Sequence, residues 1–365
     1  MLEGPRAPDQ KDLPRIIKFL DQTLRPQGVW SIADEYPSAL GSQNIHNMRI
    51  ISDENEVISH AVMKPLIVKS PHVIFKVGTM GSVVTADAHR NQGHSSKVLE
   101  DCIQLAKQQL CDVALLWTDL YDFYRRLGFE LAGQEVSFVF ESELSGASSE
   151  GLRFSQEKNI SPDAIWRLYS QHTVSSVRST EEIRKFLSIP NTQLYTAWNS
   201  QNQLMAFAVE GKGADLTGYI HEWGGLATPL VALISHIRKI RKQPLTMILP
   251  AHATNLIQRL RPYSSVENMG YLGMIKILNF NQLANKIKRA FRAEGLHQVV
   301  LEQRDSHYYL GYKNQLYTIH GDSAITQILF GPTRITEMPQ FDEETCEVLG
   351  RLLPLPLWVW GWDSI

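Results

Sequence analysis

Two spacings of apolar residues run along the first third of the chain and predict its helices and strands. Over residues 95–111 the apolar positions recur every three or four residues, with charged and amide side chains opposite, which predicts an amphipathic helix. Apolar runs predict strands over residues 48–52, 56–65, 72–85 and 113–117, and a short helix over residues 120–127 ends at Gly128. Gly78 and Gly81 interrupt the run 72–85, so we expect that strand to bend where a ligand or another backbone approaches.

Two changes of pattern divide the chain into three predicted domains. Residues 142–157 are rich in Ser, Gly and Glu, as in a surface connection, and a new strand-then-helix pattern begins near Gly270. The predicted domains are residues 1–145, 146–270 and 271–365. The second repeats the element order of the first, and the third has strands over 299–303, 307–312 and 315–320 before a helix over 323–329. The fold class is therefore α/β, with an α+β domain at the end.

Composition removes several classes of function. The 365 residues are 43% hydrophobic and carry a formal net charge of −2, which gives no overall field for nucleic acid or anionic lipid. There is no run of about 18 apolar residues to span a membrane. The three cysteines fit a reducing compartment, and the twelve histidines lack metal-ligand spacing. We predict a cytoplasmic protein that binds no metal, nucleic acid or membrane.

The join between the bent strand and the long helix has the residues of an anion site. A helix that follows a strand and a small polar turn presents backbone N–H groups at its positive end. Gly93 lets a ligand approach the backbone closely, Arg90 adds charge, and Ser95 and Ser96 add hydroxyl donors. The alternative is an ordinary helix start with an arginine for solubility.

A second motif follows this turn after one helix and one strand. Residues 90–95 (RNQGHS) and 124–129 (YRRLGF) together resemble the coenzyme A signature of the GNAT acyltransferase superfamily, [Gln or Arg]-x-x-Gly-x-[Gly or Ala] followed by Tyr-x-x-x-Gly-Phe. Ser95 replaces the last small residue of the first motif. Trp117 stands where many members have an Asn that contacts the pantetheine arm, and Asp119 either replaces that contact or caps the short helix.

The resemblance implies a mixed sheet flanked by helices, with acetyl-CoA as co-substrate. It also implies that the pantetheine arm pairs with the freed backbone of the bent strand, that the pyrophosphate lies on N–H groups of residues 91–95, and that Tyr124 protonates the departing thiolate. Tyr124 as a packed core residue is the alternative. The implied coenzyme-binding residues are Ser82, Val83, Val84, Arg90, Asn91, Gln92, Gly93, His94, Ser95 and Asp119.

The order of the three domains resembles the enhanced intracellular survival family of acetyltransferases: a GNAT domain, a GNAT-like domain without coenzyme motifs and a sterol-carrier-like domain. This resemblance implies that the carboxylate of Ile365 reaches the active site and deprotonates the acceptor amine. Trp358, Trp360 and Trp362 alternate, so they either line a substrate channel or anchor the tail in the core.

The acceptor amine is expected to meet three further residues. Glu35 lies in an acidic loop, DEYP at residues 34–37, and Trp360 and Asp363 lie in the tail. A solvated loop is the alternative for Glu35. His221 and Glu222 form either a structural polar network or a base.

The sequence therefore predicts an acetyl-CoA-dependent N-acetyltransferase in which a small-molecule or peptide amine attacks the thioester directly. Cys102 and Cys111 belong to the amphipathic helix and its end and face the core, so neither is expected to act as a nucleophile. The rival predictions are a carrier of an apolar ligand and a non-catalytic acyl-CoA sensor. Assembly into a homo-oligomer follows the family tendency.

Overall fold

Three β-sheets covered by helices make up the molecule. The structure is a computed structural model that describes residues 2–338 and 340–365. The strands are β1 Leu2–Arg6, β2 Met48–Asp53, β3 Glu56–Lys69, β4 Ile74–Thr85, β5 Val113–Leu116, β6 Glu130–Ala132, β7 Glu135–Phe140, β8 Arg153–Ser155, β9 Ser175–Ser176, β10 Gln193–Trp198, β11 Leu204–Lys212, β12 Asp215–Gly225, β13 Leu245–Pro250, β14 Val266–Gly270, β15 Gly273–Ile277, β16 Val299–Arg304, β17 His307–Tyr312 and β18 Gln315–His320. The α-helices are α1 Leu13–Leu24, α2 Ile32–Glu35, α3 His94–Gln108, α4 Tyr121–Arg125, α5 Pro162–Tyr169, α6 Thr180–Leu187, α7 Ala227–Ile240, α8 Thr254–Leu260, α9 Phe280–Ala293, α10 Asp322–Phe330 and α11 Glu343–Gly350.

The first sheet has the order β1-β2-β3-β4-β5-β15-β6, with β9 paired to β3. Helix α3 is the predicted amphipathic helix, and its apolar face, including Cys102, packs on the buried residues of β3 and β4. Cys111, just after α3, is buried as well, so the prediction that both cysteines face the core is confirmed. Burial raises the pKa of Cys102 to about 12 and that of Cys111 to about 11, which keeps both thiols protonated.

Strands β4 and β5 separate part of the way along their length. They pair in parallel only at Val77–Val113, Gly78–Ala114 and Thr79–Leu115, although β4 continues to Thr85. The register between β3 and β4 also shifts between His60 and Val62, and Ser82 has a positive φ of 47°. The predicted bend in this strand is therefore confirmed, and the side of β4 after Thr79 that would face β5 is unpaired with it.

The sheets do not follow the predicted domain limits of 145 and 270. Strand β7 (residues 135–140) belongs to the second sheet, β14-β7-β13-β12-β11-β10-β8. Strand β15 (residues 273–277) belongs to the first sheet, between β5 and β6. The first two sheets thus exchange strands across both limits. The predicted fold class of mixed sheets flanked by helices is confirmed.

The third sheet has the order β16-β17-β18 and packs against the amphipathic helix α9. After α11 the chain continues as a tail over residues 351–365 that has little regular structure but is deeply buried. Its apolar side chains, each less than 5% exposed, are Leu352, Leu353, Leu355, Leu357, Trp358, Val359, Trp360 and Trp362. Within the described residues, every helix is too short or too polar to cross a membrane.

Candidate active site

The start of helix α3 is free to receive an anion. Gly93 is its N-terminal flanking residue, with φ of 77°, and no side chain caps the helix there. The leading N–H groups of a helix have no partner inside the helix, so here they are available to a ligand. A Cβ placed on Gly93 would contact nothing within 4 Å. The glycine is thus required by the left-handed backbone, and the space beside it is open.

A groove of about 610 Å³ lies over this helix start. It is lined by eight of the residues that the sequence predicted as coenzyme-binding or catalytic, namely Val83, Val84, Arg90, Asn91, Gly93, His94, Ser95 and Tyr124. Ser82, Gln92 and Asp119 are not among its lining residues. Asp119 does not cap α4 either, because Leu120 is the flanking residue of that helix and no side chain forms a capping hydrogen bond there.

Tyr124 presents its hydroxyl to the groove from a packed ring. The ring meets Phe123 and Phe129 edge-on, with centroids 4.9 and 6.0 Å away. The hydroxyl forms no hydrogen bond with any of the described residues, although the side chain is only 7% exposed. Burial raises the pKa of Tyr124 to about 12, so the phenol keeps its proton at neutral pH and can donate it.

The end of the tail lies on the bend of β4. A Cβ on Gly81 would be 2.5 Å from the carbonyl carbon of Ile365 and 2.7 Å from its oxygen. Only glycine leaves room for the tail at this point. The Ile365 side chain packs on a core cluster that includes Val84, which also lines the groove. The tail therefore contacts β4 at Gly81, and the groove is lined by the same strand two to three residues later, at Val83 and Val84.

A second cavity of about 310 Å³ is bounded by Ile365. Its walls combine aromatic rings with carboxylates, and the lining residues that bear on function are Tyr36, Trp117, Glu135, Lys212, Asp215 and Trp358. Burial raises the pKa of Glu135 to about 7, and this carboxylate forms no ion pair with any described residue. Asp215 in contrast accepts from Arg25 Nη2 over 2.9 Å and from the Tyr36 hydroxyl.

The three predicted acceptor residues, Glu35, Trp360 and Asp363, are not among the residues that line this cavity. Glu35 is fully buried and accepts from Arg25 Nη2 and Trp30 Nε1, each over 2.7 Å. The Trp360 ring packs in the core among His172 and Trp223. The Glu35 carboxylate and the Trp360 ring are thus both engaged in contacts within the protein.

Asp363 is the third of these residues and is bound on both carboxylate oxygens. It lies 2.7 Å from Arg178 Nη2 and 3.4 Å from Lys64 Nζ, and it accepts from Ser176. Arg178 also binds Glu222 at 2.7 Å. The alternative of a structural network thus fits Glu222. Burial lowers the pKa of neighbouring His221 to about 3, which keeps its ring neutral.

Glu135, Lys212 and Asp215 were not singled out from the sequence. They lie on β7, β11 and β12 of the second sheet, and they line one cavity together with Ile365, the last residue of the tail. No local spacing in the sequence marks them. In residues 2–338 and 340–365, no group of three or more His, Cys, Asp or Glu side chains is placed to hold a metal ion.

Comparisons with known proteins find one matching family model and several solved structures with a similar fold. The family model described as an acetyltransferase (GNAT) domain matches residues 6–132. No protein of curated function matches the sequence. All of this chain aligns with 98% of a GCN5-related N-acetyltransferase from Kribbella flavida, at 11% sequence identity and a TM-score of 0.66. It also aligns with 100% of a GCN5-related N-acetyltransferase from Anabaena variabilis, at 12% identity and a TM-score of 0.67. A third alignment, with Eis1 from Mycobacterium abscessus, covers 100% of both chains at 10% identity and a TM-score of 0.62. At these identities the similarity concerns the fold.

Proposed function

Residues 6–132 form a domain of the GNAT acetyltransferase family, and from that premise we propose that the protein is an acetyl-CoA-dependent N-acetyltransferase that acts by direct attack of an amine. The observation that carries the proposal is the groove itself. It brings together an uncapped helix start, the unpaired part of a splayed strand and a phenol without a hydrogen-bond partner among the described residues. Each of these suits one part of an acyl-coenzyme A molecule.

The coenzyme is held mainly by backbone groups. Its pyrophosphate accepts from the leading N–H groups of α3 at Gly93, and Arg90, which is largely exposed beside Asp87, adds a positive charge. The pantetheine arm pairs with β4 after Thr79, where β5 no longer does. Backbone N–H groups at the bend then polarise the thioester carbonyl.

The acceptor occupies the second cavity, on the tail side of the bend. Its neutral amine attacks the thioester carbonyl carbon and forms a C–N bond, and the C–S bond breaks as the tetrahedral intermediate collapses. Tyr124 gives its proton to the leaving thiolate, and the Ile365 carboxylate takes the proton that the amine loses. Alignment of the two bound substrates is the main source of rate enhancement.

Glu135 suits a second charged group on the acceptor. Its carboxylate has no partner cation among the described residues, and a bound ammonium would favour its ionised form. Trp117, Tyr36 and Trp358 provide flat apolar walls around it. The proposed acceptor is therefore an amine that also carries a second cationic group and an apolar or flat body.

The test has two parts, which separate binding from turnover. Saturating acetyl-CoA is expected to raise the melting temperature by mass action, and fatty acids are not. Incubation with a panel of mono- and diamines is then expected to release free thiol and to add one acetyl group to an amine by mass spectrometry. No stabilisation by acetyl-CoA would overturn the proposal. Stabilisation without thiol release from any amine would indicate a non-catalytic acyl-CoA sensor.

A further inference from the structure

The ammonium of Lys212, at the end of β11, lies beneath the tail. The residue is 1% exposed. Its Nζ donates to the main-chain carbonyls of Gly361 (3.0 Å), Trp362 (3.3 Å) and Ser364, and it lies 3.3 Å from Ser364 Oγ. An ammonium has three N–H donors, so the three carbonyls use all of them.

The tail is held from a second direction through side chains. Asp363 is bound by Lys64 and Arg178, and the Trp362 N–H donates to Glu222 over 3.3 Å. These contacts fix the side chain of residue 363 and one amide. The contacts of Lys212 instead fix the carbonyls on both sides of it, up to the residue before Ile365. The two sets are complementary, and the contacts of Lys212 extend to Ser364, the residue next to Ile365.

A buried charge is a costly way to gain stability alone. Burial, with repulsion from Lys64 as the next cause, lowers the pKa of Lys212 to about 7. An apolar side chain of similar size would avoid that cost. What the ammonium adds is direction, because it gathers three carbonyls around one point. Lys212 Nζ also lies 4.6 Å from the centre of the Tyr36 ring, which lines the second cavity.

We infer that Lys212 is a positioning residue, which orients the main chain of residues 361–364 so that Ile365 is held against the bend of β4 at Gly81. The inference rests on the proposed acetyl transfer, in which Ile365 takes a proton from the acceptor. Lys212 acts through the tail, since its donors are all engaged there. It is not among the residues that line the coenzyme groove.

The test compares Lys212→Met with Lys286→Met. The first removes the three donors at similar side-chain length, and the second removes an ion pair with buried Asp112 (2.6 Å), away from the tail. We expect Lys212→Met to lower kcat about tenfold or more with the KM for acetyl-CoA unchanged within about twofold. Lys286→Met is expected to keep the parent kcat. A Lys212→Met variant with the parent kcat would overturn the inference.

A double-variant cycle tests whether Lys212 acts through Ile365. In a chain that lacks Ile365, Lys212→Met is expected to cause no further loss of kcat. If the two losses multiply instead, the residue acts by another route and the inference is wrong.

A third measurement does not depend on turnover. Lys212→Gln keeps part of the hydrogen-bonding capacity and guards against a Met variant that fails to fold. We expect hydrogen exchange of the amides of residues 361–365 to become faster in this variant, with exchange in α3 unchanged. Unchanged exchange in the tail would overturn the inference, even in a protein that binds acetyl-CoA and transfers nothing. The failure of acetyl transfer is thereby distinguished from the failure of positioning.

Discussion

The ring of Tyr124 is packed in the protein, while the residue also lines the groove. The ring is packed between two phenylalanines, and the hydroxyl faces the groove without a hydrogen-bond partner in the described part of the chain. Packing therefore fixes the position of the phenol oxygen, while the raised pKa keeps the proton on it. A residue that served the core alone would bury this hydroxyl with a partner.

Tyr124→Phe removes the hydroxyl and leaves the ring packing intact. We expect kcat to fall about 100-fold, because the thiolate then leaves without a positioned proton donor. The Kd of acetyl-CoA, measured by calorimetry, is expected to stay within about twofold of the parent value. Equal losses in kcat and in affinity would contradict the role of general acid.

Glu135 makes stability depend on pH in a direction that can be stated. Burial raises its folded pKa to about 7, from the ordinary value of 4.5 that it has in the unfolded chain, so between these values the folded chain holds a proton that the unfolded chain has released. The free energy of unfolding therefore falls as pH rises through this window.

Glu135→Gln abolishes that dependence. We expect the variant to gain stability relative to the parent as the pH rises from 4.5 to 7, by about 1–2 kcal/mol at most, since the carboxylate lines an open cavity. Urea unfolding at pH 4.5, 6 and 8 measures the difference. Parallel stability curves for the two proteins would show that the carboxyl is not perturbed. The same variant is expected to raise the KM for a dicationic acceptor and not that for a monoamine.

On the scale of single elements, the start of helix α3 has no capping side chain, and most other α-helices of the described residues lack one as well. Ser179 caps α6 and Asp342 caps α11 with their own side chains. An uncapped helix start usually lacks about 1 kcal/mol of stabilisation, which a bound anion can restore. What distinguishes α3 is the open groove over its start, which leaves room for such an anion.

Gly93→Ala tests this helix start, and Gly146→Ala is its matched control. Both glycines have positive φ, and in both cases an added Cβ would contact nothing within 4 Å. We expect each substitution to cost about 1 kcal/mol of stability through backbone strain. Only Gly93→Ala is expected to weaken acetyl-CoA binding, by roughly tenfold, as the new methyl group enters the groove. Equal effects on binding would place the coenzyme elsewhere.

The elements nearest the groove could be predicted because their signals are local. The apolar spacing of α3 and the glycines of β4 each lie within a short stretch of sequence. The predicted amphipathic helix and the predicted bend in the strand both match the structure. The burial of Glu35 could not be predicted in this way. Its acidic loop looks solvated in sequence, and nothing there reveals that Arg25 and Trp30 occupy the carboxylate. Side-chain partners set burial, and pattern alone does not identify partners.

On the scale of the whole molecule, the exchange of strands decides which residues meet. Strand β15 joins β5 to β6 in the first sheet, although the acetyltransferase family match ends at residue 132. Strand β7 pairs with β13 in the second sheet, and its first residue, Glu135, lines the cavity that Ile365 bounds. Such pairings between distant segments are invisible to local patterns, which explains why the domain limits predicted from composition cut through both sheets.

A fragment of residues 2–140 tests how far the first sheet depends on this exchange. It lacks β15, so β5 is left as an open edge and β6 has no neighbour in the sheet. We expect the fragment to show no cooperative unfolding transition and no stabilisation by acetyl-CoA, by circular dichroism and thermal shift. Cooperative unfolding with coenzyme binding would show that β15 is dispensable.

The place of β15 also sets an order of events during biosynthesis. A ribosome delivers the glycine turn and the phenol early, but the sheet that orients them stays incomplete until residue 277 has emerged. The nascent chain must therefore carry an exposed strand edge through the translation of the entire second sheet, which is where a chaperone would be needed most.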